Sequence, residues 1–237
     1  MTILCIETST SVCSAAICKD GEPIKQCICR EGSNHARLLP RYIESLLAFA
    51  KQNELPIEAV ALSEGPGSYT GLRIGTATAK GLCYGLNIPL IPIPTLKVLC
   101  EGVQSKIENR ESKIVLIPMI DARRMEIYTN VMVNGERMNG EGAKAVVVEN
   151  EESLYAGDEA VYYFGDGAAK CANVFTKSNW HYIPYIVPEA QYMGALAEQI
   201  TNHKSQITNA KSIDLAYYEP FYLKEFVAAQ SHVKGLM

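Results

Sequence analysis

Histidine and tryptophan are scarce in this 237-residue chain, with four of the first and one of the second. His35, His181, His203 and His232 are scattered, with no H-x-x-x-H and no H-E-x-x-H, so no histidine-built metal centre is expected. There is no G-x-S-x-G, and no cysteine stands beside a ready base, so a nucleophile–base–orienter triad cannot be located. Long apolar runs are also missing. Nothing reaches the roughly 18 consecutive apolar residues of a membrane span, and the opening Met1-Thr-Ile-Leu-Cys-Ile has no basic start, so a secretory leader is not expected. Neither charge sign dominates: 22 Lys+Arg against 26 Asp+Glu give a net charge of -4, which exerts no general pull on nucleic acid.

What is present is a 48% hydrophobic, 20% charged composition, suited to a chain that buries a substantial core. The eight cysteines sit mostly among Ile, Leu, Val and Ala and form no CxxC. They are expected to be small core hydrophobes carrying reduced thiols in a cytoplasmic protein.

The first hundred residues alternate regularly. Thr2–Glu7, Val12–Lys19 and Glu22–Cys29 predict three strands, the last two joined by the hairpin pair Asp20-Gly21. Both faces of Val12–Lys19 are largely apolar, as a covered central strand requires. A helix follows, capped by Ser33 or Asn34, with Leu38, Leu39, Tyr42, Ile43, Leu46 and Leu47 at helical spacing; Pro40 either sits in its first turn or bends it. Ile57–Ser63, the loop 64–71, the helix Leu72–Leu86 and the strand Ile88–Ile93 predict a right-handed parallel crossover. Gly71, Gly75 and Ala79 share one face of that helix, while Gly81 and Gly85 repeat the spacing on another. So many helix glycines predict close approach of another element.

Beyond residue 100 the spacing predicts strands at Ile114–Ile120, Met125–Val133 and Tyr162–Gly165, a turn at Asn134-Gly135, and helices at Ala168–Phe175 and Gln191–Asn202. The expected division is a first α/β domain over 1–103 and a second, reduced one over 104–237, with 213–237 packing back on the first.

Three loops fall at carboxyl ends of predicted strands, where α/β sheets place sites. Glu7-Thr-Ser-Thr-Ser11 offers hydroxyls and backbone N–H groups to an anion, although Glu7 would repel one. Gly65-Pro-Gly-Ser-Tyr-Thr-Gly71 precedes a helix N-terminus but lacks the lysine of a phosphate loop, so a rigid turn feeding a packing helix is the plainer alternative. Asp121 and Gly165-Asp166-Gly167 form the third set. Glu7, Ser9, Asp121, Gly165, Asp166 and Gly167 are therefore the candidate cofactor-binding residues, with Asp166 equally suited to capping a helix.

Several stretches carry a resemblance: Ile6-Glu-Thr-Ser9, His35-x-x-Leu38-Leu39-Pro40, Ser63–Gly75 running into Ala79-Lys-Gly81, Asp121-Ala-Arg123, Gly165-Asp-Gly167 and Tyr222-Leu-Lys224. The chain resembles the TsaB (YeaZ) family. That resemblance implies a two-domain actin-like or heat-shock ATPase-like fold of the sugar kinase group, with a mixed five-stranded sheet in each domain and the second reduced. It implies a non-catalytic subunit, without cofactor or metal of its own, needed by a TsaD-like catalytic subunit and a TsaE-like ATPase for threonylcarbamoyl transfer to the adenosine next to the tRNA anticodon. The catalytic relative carries metal-binding histidines where this chain has Thr95 and Leu99. The partners implied are those subunits, with tRNA met only through the complex, no membrane, and a homodimer when the partner is absent. The pairing residues implied are His35, Leu38, Leu39, Tyr42, Leu46, Gly71, Leu72, Gly75, Ala79 and Leu82. The alternative is a nucleotide-dependent small-molecule kinase or a hydrolase of the same fold.

Overall fold

The computed structural model describes residues 1–32, 34–107, 113–133, 136–138, 142–206 and 213–224. Its first sheet contains β1 (Thr2–Glu7), β2 (Cys13–Lys19), β3 (Glu22–Cys29), β4 (Ala59–Gly65) and β5 (Leu90–Pro94), in the order β3-β2-β1-β4-β5. β2 runs antiparallel to β1 and β3, whereas β1, β4 and β5 are parallel, so the sheet is mixed as expected. Asp20 and Gly21 have φ of 51° and 84°, the left-handed pair that a tight hairpin demands.

One face of this sheet is covered by α1 (His35–Gln52) and α2 (Tyr69–Leu86), which bury Leu39, Ile43, Leu46, Ala79 and Cys83 against Leu4, Ile6, Ala15 and Leu62. α1 begins at His35, so Pro40 lies inside the helix and not in its first turn. Asn34 stands at the N-cap without a side-chain cap bond; Ser33 lies outside the described residues. Ser68 does cap α2, its Oγ accepting from the Gly71 N–H at 3.3 Å.

α3 (Thr95–Val103) follows β5 directly and leads toward the second sheet, burying Leu96, Leu99, Cys100 and Val103 against Leu116, Ile120 and Phe164. That sheet contains β6 (Ile114–Asp121), β7 (Glu126–Thr129), β8 (Met132–Val133), β9 (Glu136–Arg137), β10 (Lys144–Val147), β11 (Ala160–Phe164) and β12 (Trp180–Ile183). Its main path is β10-β7-β6-β11-β12, with β8 and β9 paired off β6. It is therefore reduced in helices and not in strands.

Four expectations are corrected here. Met125–Val133 is two short strands, interrupted at Asn130 and Val131. Ala168–Phe175 is a single 3-10 turn at Ala169–Cys171 with further turns, tied into the aromatic core by Cys171 and Phe175. The helix expected at Gln191–Asn202 is α4 (Met193–Gln206), preceded by a 3-10 turn at Ala190–Tyr192. More consequentially, α4 does not belong with the second sheet. Ala190, Met193 and Ala197 cover the other face of the first sheet, against Ile3, Cys5, Ala16, Cys18, Ala59 and Ala61. That explains why β2 is apolar on both faces. The crossing back is anchored by Glu189, which is 3% exposed and accepts from Arg30 Nη2 at 2.7 Å and Gln26 Nε2 at 3.1 Å.

Residues 213–224 also return to the first layer: the Phe221 N–H donates to the Glu64 carbonyl at 2.7 Å. Asn134-Gly135 and residues 225–237 lie outside the described residues. The eight cysteines are free thiols, six of them buried and Cys27 and Cys29 half-buried. Among the described residues no helix is long and apolar enough to cross a membrane.

Candidate functional site

The carboxyl ends of β1, β4 and β5 bring Glu7, Ser63 and Thr95 together. β1 and β4 are in parallel register at Ile6↔Leu62, which sets Glu7 beside Ser63. Ser63 Oγ and Thr95 Oγ1 share a hydrogen bond of 2.7 Å, both residues being buried. Glu7 is fully buried; its Oε1 accepts from the Ser9 N–H and from Ser9 Oγ, each at 2.6 Å. Its Oε2 has no hydrogen-bond partner among the described residues. Burial pushes the Glu7 carboxyl above its ordinary value, against the pull of the Ser9 hydrogen bonds and of the neighbouring Ser63 hydroxyl, and Asp166 adds like-charge repulsion.

The hydroxyl-rich loop after β1 and the glycine-bearing loop after β4 lock together. Ser68 N–H donates to the Ser9 carbonyl at 2.6 Å, and Thr8 Oγ1 donates to the Gly71 carbonyl at 2.8 Å. A Cβ on Gly71 would fall on the Thr8 carbonyl oxygen, one on Gly67 on the Ser9 carbonyl oxygen, and one on Gly75 on Thr8 Oγ1. The start of α2 is thus filled by the chain's own backbone. The plainer alternative, a rigid turn feeding a packing helix, is the arrangement found.

The third loop comes from the second sheet. Asp121 ends β6, its backbone N–H donating to Asp166 Oδ1 at 3.0 Å. Asp121 Oδ1 accepts from the Arg123 N–H at 3.1 Å and pairs with Lys170. Gly165, with φ 110°, and Gly167 lie against the backbone of Met119 and Ile120, so both glycines serve close packing of β6. Asp166 bridges two loops and caps no helix. Glu7, Asp121 and Asp166 are carboxylates, Lys170 is committed to Asp121, and the α2 N-terminus is occupied. This set does not fit a phosphate group.

Thr95 and Leu99, where the resemblance led us to look for ligands, are taken up by packing: Thr95 is bonded to Ser63, and Leu99 is fully buried in the core beside Leu116 and Phe164. Among the described residues no group of three or more His, Cys, Asp or Glu side chains is placed to hold a metal ion.

The residues expected to pair with a partner divide sharply. His35 is 4% exposed with Nε2 bonded to the Val12 carbonyl at 3.1 Å, and Leu39, Leu46, Leu72, Gly71, Gly75 and Ala79 are buried against the chain's own sheet and loops. The expectation that these seven face a partner is corrected: a stripe of small residues signals close approach but not which neighbour approaches. Leu38, Tyr42 and Leu82 are half-buried at the rim of the same core. The outward side of α2 carries Gly81 and Gly85, with nothing among the described residues within 4 Å of a Cβ on either, and Tyr84 and Leu86, 87% and 46% exposed. Tyr84 and Leu86 were missed as candidates; two large apolar residues beside glycines off the helix's buried stripe were the available signal.

A family model described as TsaD, tRNA N6-adenosine threonylcarbamoyltransferase, matches residues 31–230. The tRNA threonylcarbamoyladenosine biosynthesis protein TsaB of Haemophilus influenzae is 29% identical over 96% of this chain and 95% of its own length. The chain belongs to the TsaB/YeaZ family. Its Escherichia coli member is 34% identical over 54% of this chain and 53% of that protein. YeaZ from Pseudomonas aeruginosa shares the fold, with a TM-score of 0.73 at 22% identity over 94% of this chain and 99% of that one.

Proposed function

We propose that this TsaB/YeaZ member acts in tRNA threonylcarbamoyladenosine synthesis as a non-catalytic scaffold for a TsaD-like catalytic subunit. In this reading a TsaE-like ATPase joins the pair, any nucleotide is held by the partners or at their junction, and the chain brings no cofactor of its own. It works in the cytoplasm, reaches tRNA only within the complex, and forms a homodimer when the partner is absent. The relatives' shared description supports the pathway, and the TsaD-type family match supports the partner.

The observation that carries the pairing is the outward side of α2. Gly81 and Gly85 allow a second helix to approach closely, and Tyr84 and Leu86 supply exposed apolar area beside them. Leu38, Tyr42, Ile74 and Leu82, half-buried on the same two helices, pack against the core. Glycine is a poor helix former, so two exposed glycines in one helix cost stability, which in this reading a partner contact offsets.

The test is Gly81→Leu, whose new side chain meets open space in the monomer. The variant is expected to melt at or above the parent temperature while losing about tenfold or more in affinity for the TsaD-like subunit. tRNA modification in the reconstituted mixture falls with it. Unchanged pairing overturns the assignment of this surface, and ATP or peptide turnover by the isolated chain overturns the scaffold reading.

A further inference from the structure

Three of the thiols gather on one patch of the first sheet, on the face that α1 and α2 cover. β2 and β3 pair antiparallel, and their register sets Cys13 directly opposite Cys29 and Ala15 directly opposite Cys27. Opposed residues share a face, and Cys27 and Cys29 are separated by the two-residue period of a strand, so all three thiols lie on one side. Cys13 and Cys27 pack in the core beneath α1. Tyr42 of α1 lies near all three: burial raises its hydroxyl pKa above the ordinary value, and Cys29, Cys13 and Cys27 add to the rise. Cys13 opens β2 and Cys29 closes β3, so this pair is the last rung at the open end of the hairpin.

Directly opposed residues hold their Cα atoms about 4.5–5.5 Å apart, inside the roughly 4.4–6.8 Å that a disulfide spans. Their Cβ atoms, about 4.5–5.5 Å apart, close slightly to reach the bridged separation of roughly 3.5–4.5 Å, and a terminal rung gives way more easily than an inner one. The two thiols differ in access. Cys13 is fully buried, whereas Cys29 is half-buried and its thiol donates to the Glu31 carbonyl at 3.1 Å on the exposed side. Cys5 and Cys18 have their sulfurs 3.8 Å apart, yet they make a poorer pair. Cys5 opposes Ala16 and Cys18 opposes Ile3, a diagonal relation that sets Cα atoms about 7–8 Å apart, beyond the bridging range. Both are fully buried beneath α4, where a Cβ on Gly194 would stand 2.9 Å from Cys18 Sγ.

We propose that Cys13 and Cys29 form a reversible dithiol–disulfide site that reacts with a low-molecular-weight disulfide. The Cys29 thiolate attacks one sulfur of the small disulfide and releases one small thiolate, leaving a mixed disulfide on Cys29. The Cys13 thiolate then attacks the Cys29 sulfur and releases the second small thiolate. The two protons lost by the cysteines pass to the two released thiolates, so two protein thiols are oxidised and one small disulfide is reduced. Cys13 needs no path to solvent, because Cys29 carries the oxidised sulfur to it. Burial first, then the neighbouring Cys29 and Glu7, push the Cys13 thiol up to about 11, so little thiolate is present near neutral pH and the second step is the slower one.

The reduced full chain, freed of reductant, is exposed to glutathione disulfide, quenched with acid at intervals, alkylated, and mapped by mass spectrometry without reduction. One glutathione is expected on Cys29, leaving as the peptides that bear Cys13 and Cys29 become linked; dithiothreitol restores all eight free thiols. In Cys13→Ala the adduct on Cys29 should last about tenfold longer or more than in the parent, because the resolving thiol is gone. Cys29→Ser, at a half-buried site, should show no link to Cys13, and Cys5→Ala should follow the parent's course. Thermal melts of the variants show that each is folded, and the link in the parent stands as a reading that needs no substitution. An adduct equally persistent in parent and Cys13→Ala overturns the proposal. So does a link that joins Cys5 to Cys18, or Cys27 to either partner, in place of Cys13 to Cys29. A parent that keeps all eight thiols at a glutathione disulfide concentration that oxidises the urea-unfolded chain overturns it as well.

Discussion

The two glycine-bearing faces of α2 read alike in the sequence and do opposite things in the fold. Gly71 and Gly75 admit the backbone and hydroxyl of Thr8, so the first loop and the start of α2 lock at the ends of the parallel strands. Gly81 and Gly85, one and a half turns further on, have nothing within 4 Å of a Cβ among the described residues. Spacing at i and i+4 reports that a neighbour comes close; whether the neighbour is internal or external depends on how the helix is rolled. That roll is set by Leu72, Ala79 and Cys83, which are buried.

One substitution placed on each face separates the two roles. Gly71→Ala puts a methyl group onto the Thr8 carbonyl, where neither backbone gives way easily. A loss of about 3 kcal/mol is expected, at the upper end of overpacking costs, read as a fall in melting temperature of roughly 6–12 °C for a chain of this length. A variant that melts like the parent would show that the loops are not locked.

The second experiment concerns Glu7, which the locked loops keep from water. Its raised carboxyl pKa has a definite sign in stability. Below the ordinary glutamate value, about 4.3, the folded and unfolded states are both protonated and nothing is lost. As pH rises, the unfolded state ionises first, so stability falls until the raised folded value is passed, by up to about 1.4 kcal/mol per pH unit within that window. Glu7→Gln removes the titration. Denaturant midpoints of parent and variant should therefore diverge between acidic and neutral pH in favour of the variant. A constant difference across that range would refute the buried, destabilised carboxylate.

The smallest effect belongs to the outer face. Gly81→Ala should raise stability by about 0.5–1 kcal/mol, the ordinary gain for alanine in a helix interior. With Gly71→Ala, it makes the same chemical change on the same helix with opposite outcomes.

Much of the first sheet was legible because its signals are local. Asp20-Gly21 names its own turn, the double-faced apolar pattern of β2 announces cover on both sides, and the 64–71 loop marks the start of α2. What covers β2 was not legible. The helix at Met193–Gln206 shows in its spacing, but spacing states that a face is buried and never against which sheet. Ala168–Phe175 failed for a related reason: Cys171 and Phe175 are at helical spacing, yet their burial is satisfied by a 3-10 turn wedged beside Trp180. In the site, the residue types were visible at Glu7, Ser9, Asp121 and Asp166. Their pairing was not, because Glu7–Ser9 and Asp121–Asp166–Lys170 depend on loop closure.

The return of α4 to the first sheet has a consequence for how the protein is made. Chains emerge from the ribosome N-terminus first, and domains generally fold as they appear. Here β1 to β5, α1 and α2 are complete once residue 94 has been synthesised, yet the layer formed by Ala190, Met193 and Ala197 comes a hundred residues later. Throughout that interval Ile3, Cys5, Ala16, Cys18, Ala59 and Ala61 form an apolar sheet face with no cover from its own helix. The nascent half-protein is sticky until α4 arrives and Glu189 takes Arg30. A fragment cut at residue 103 would keep that defect permanently, so the two sheets are separate in space but a single unit in synthesis.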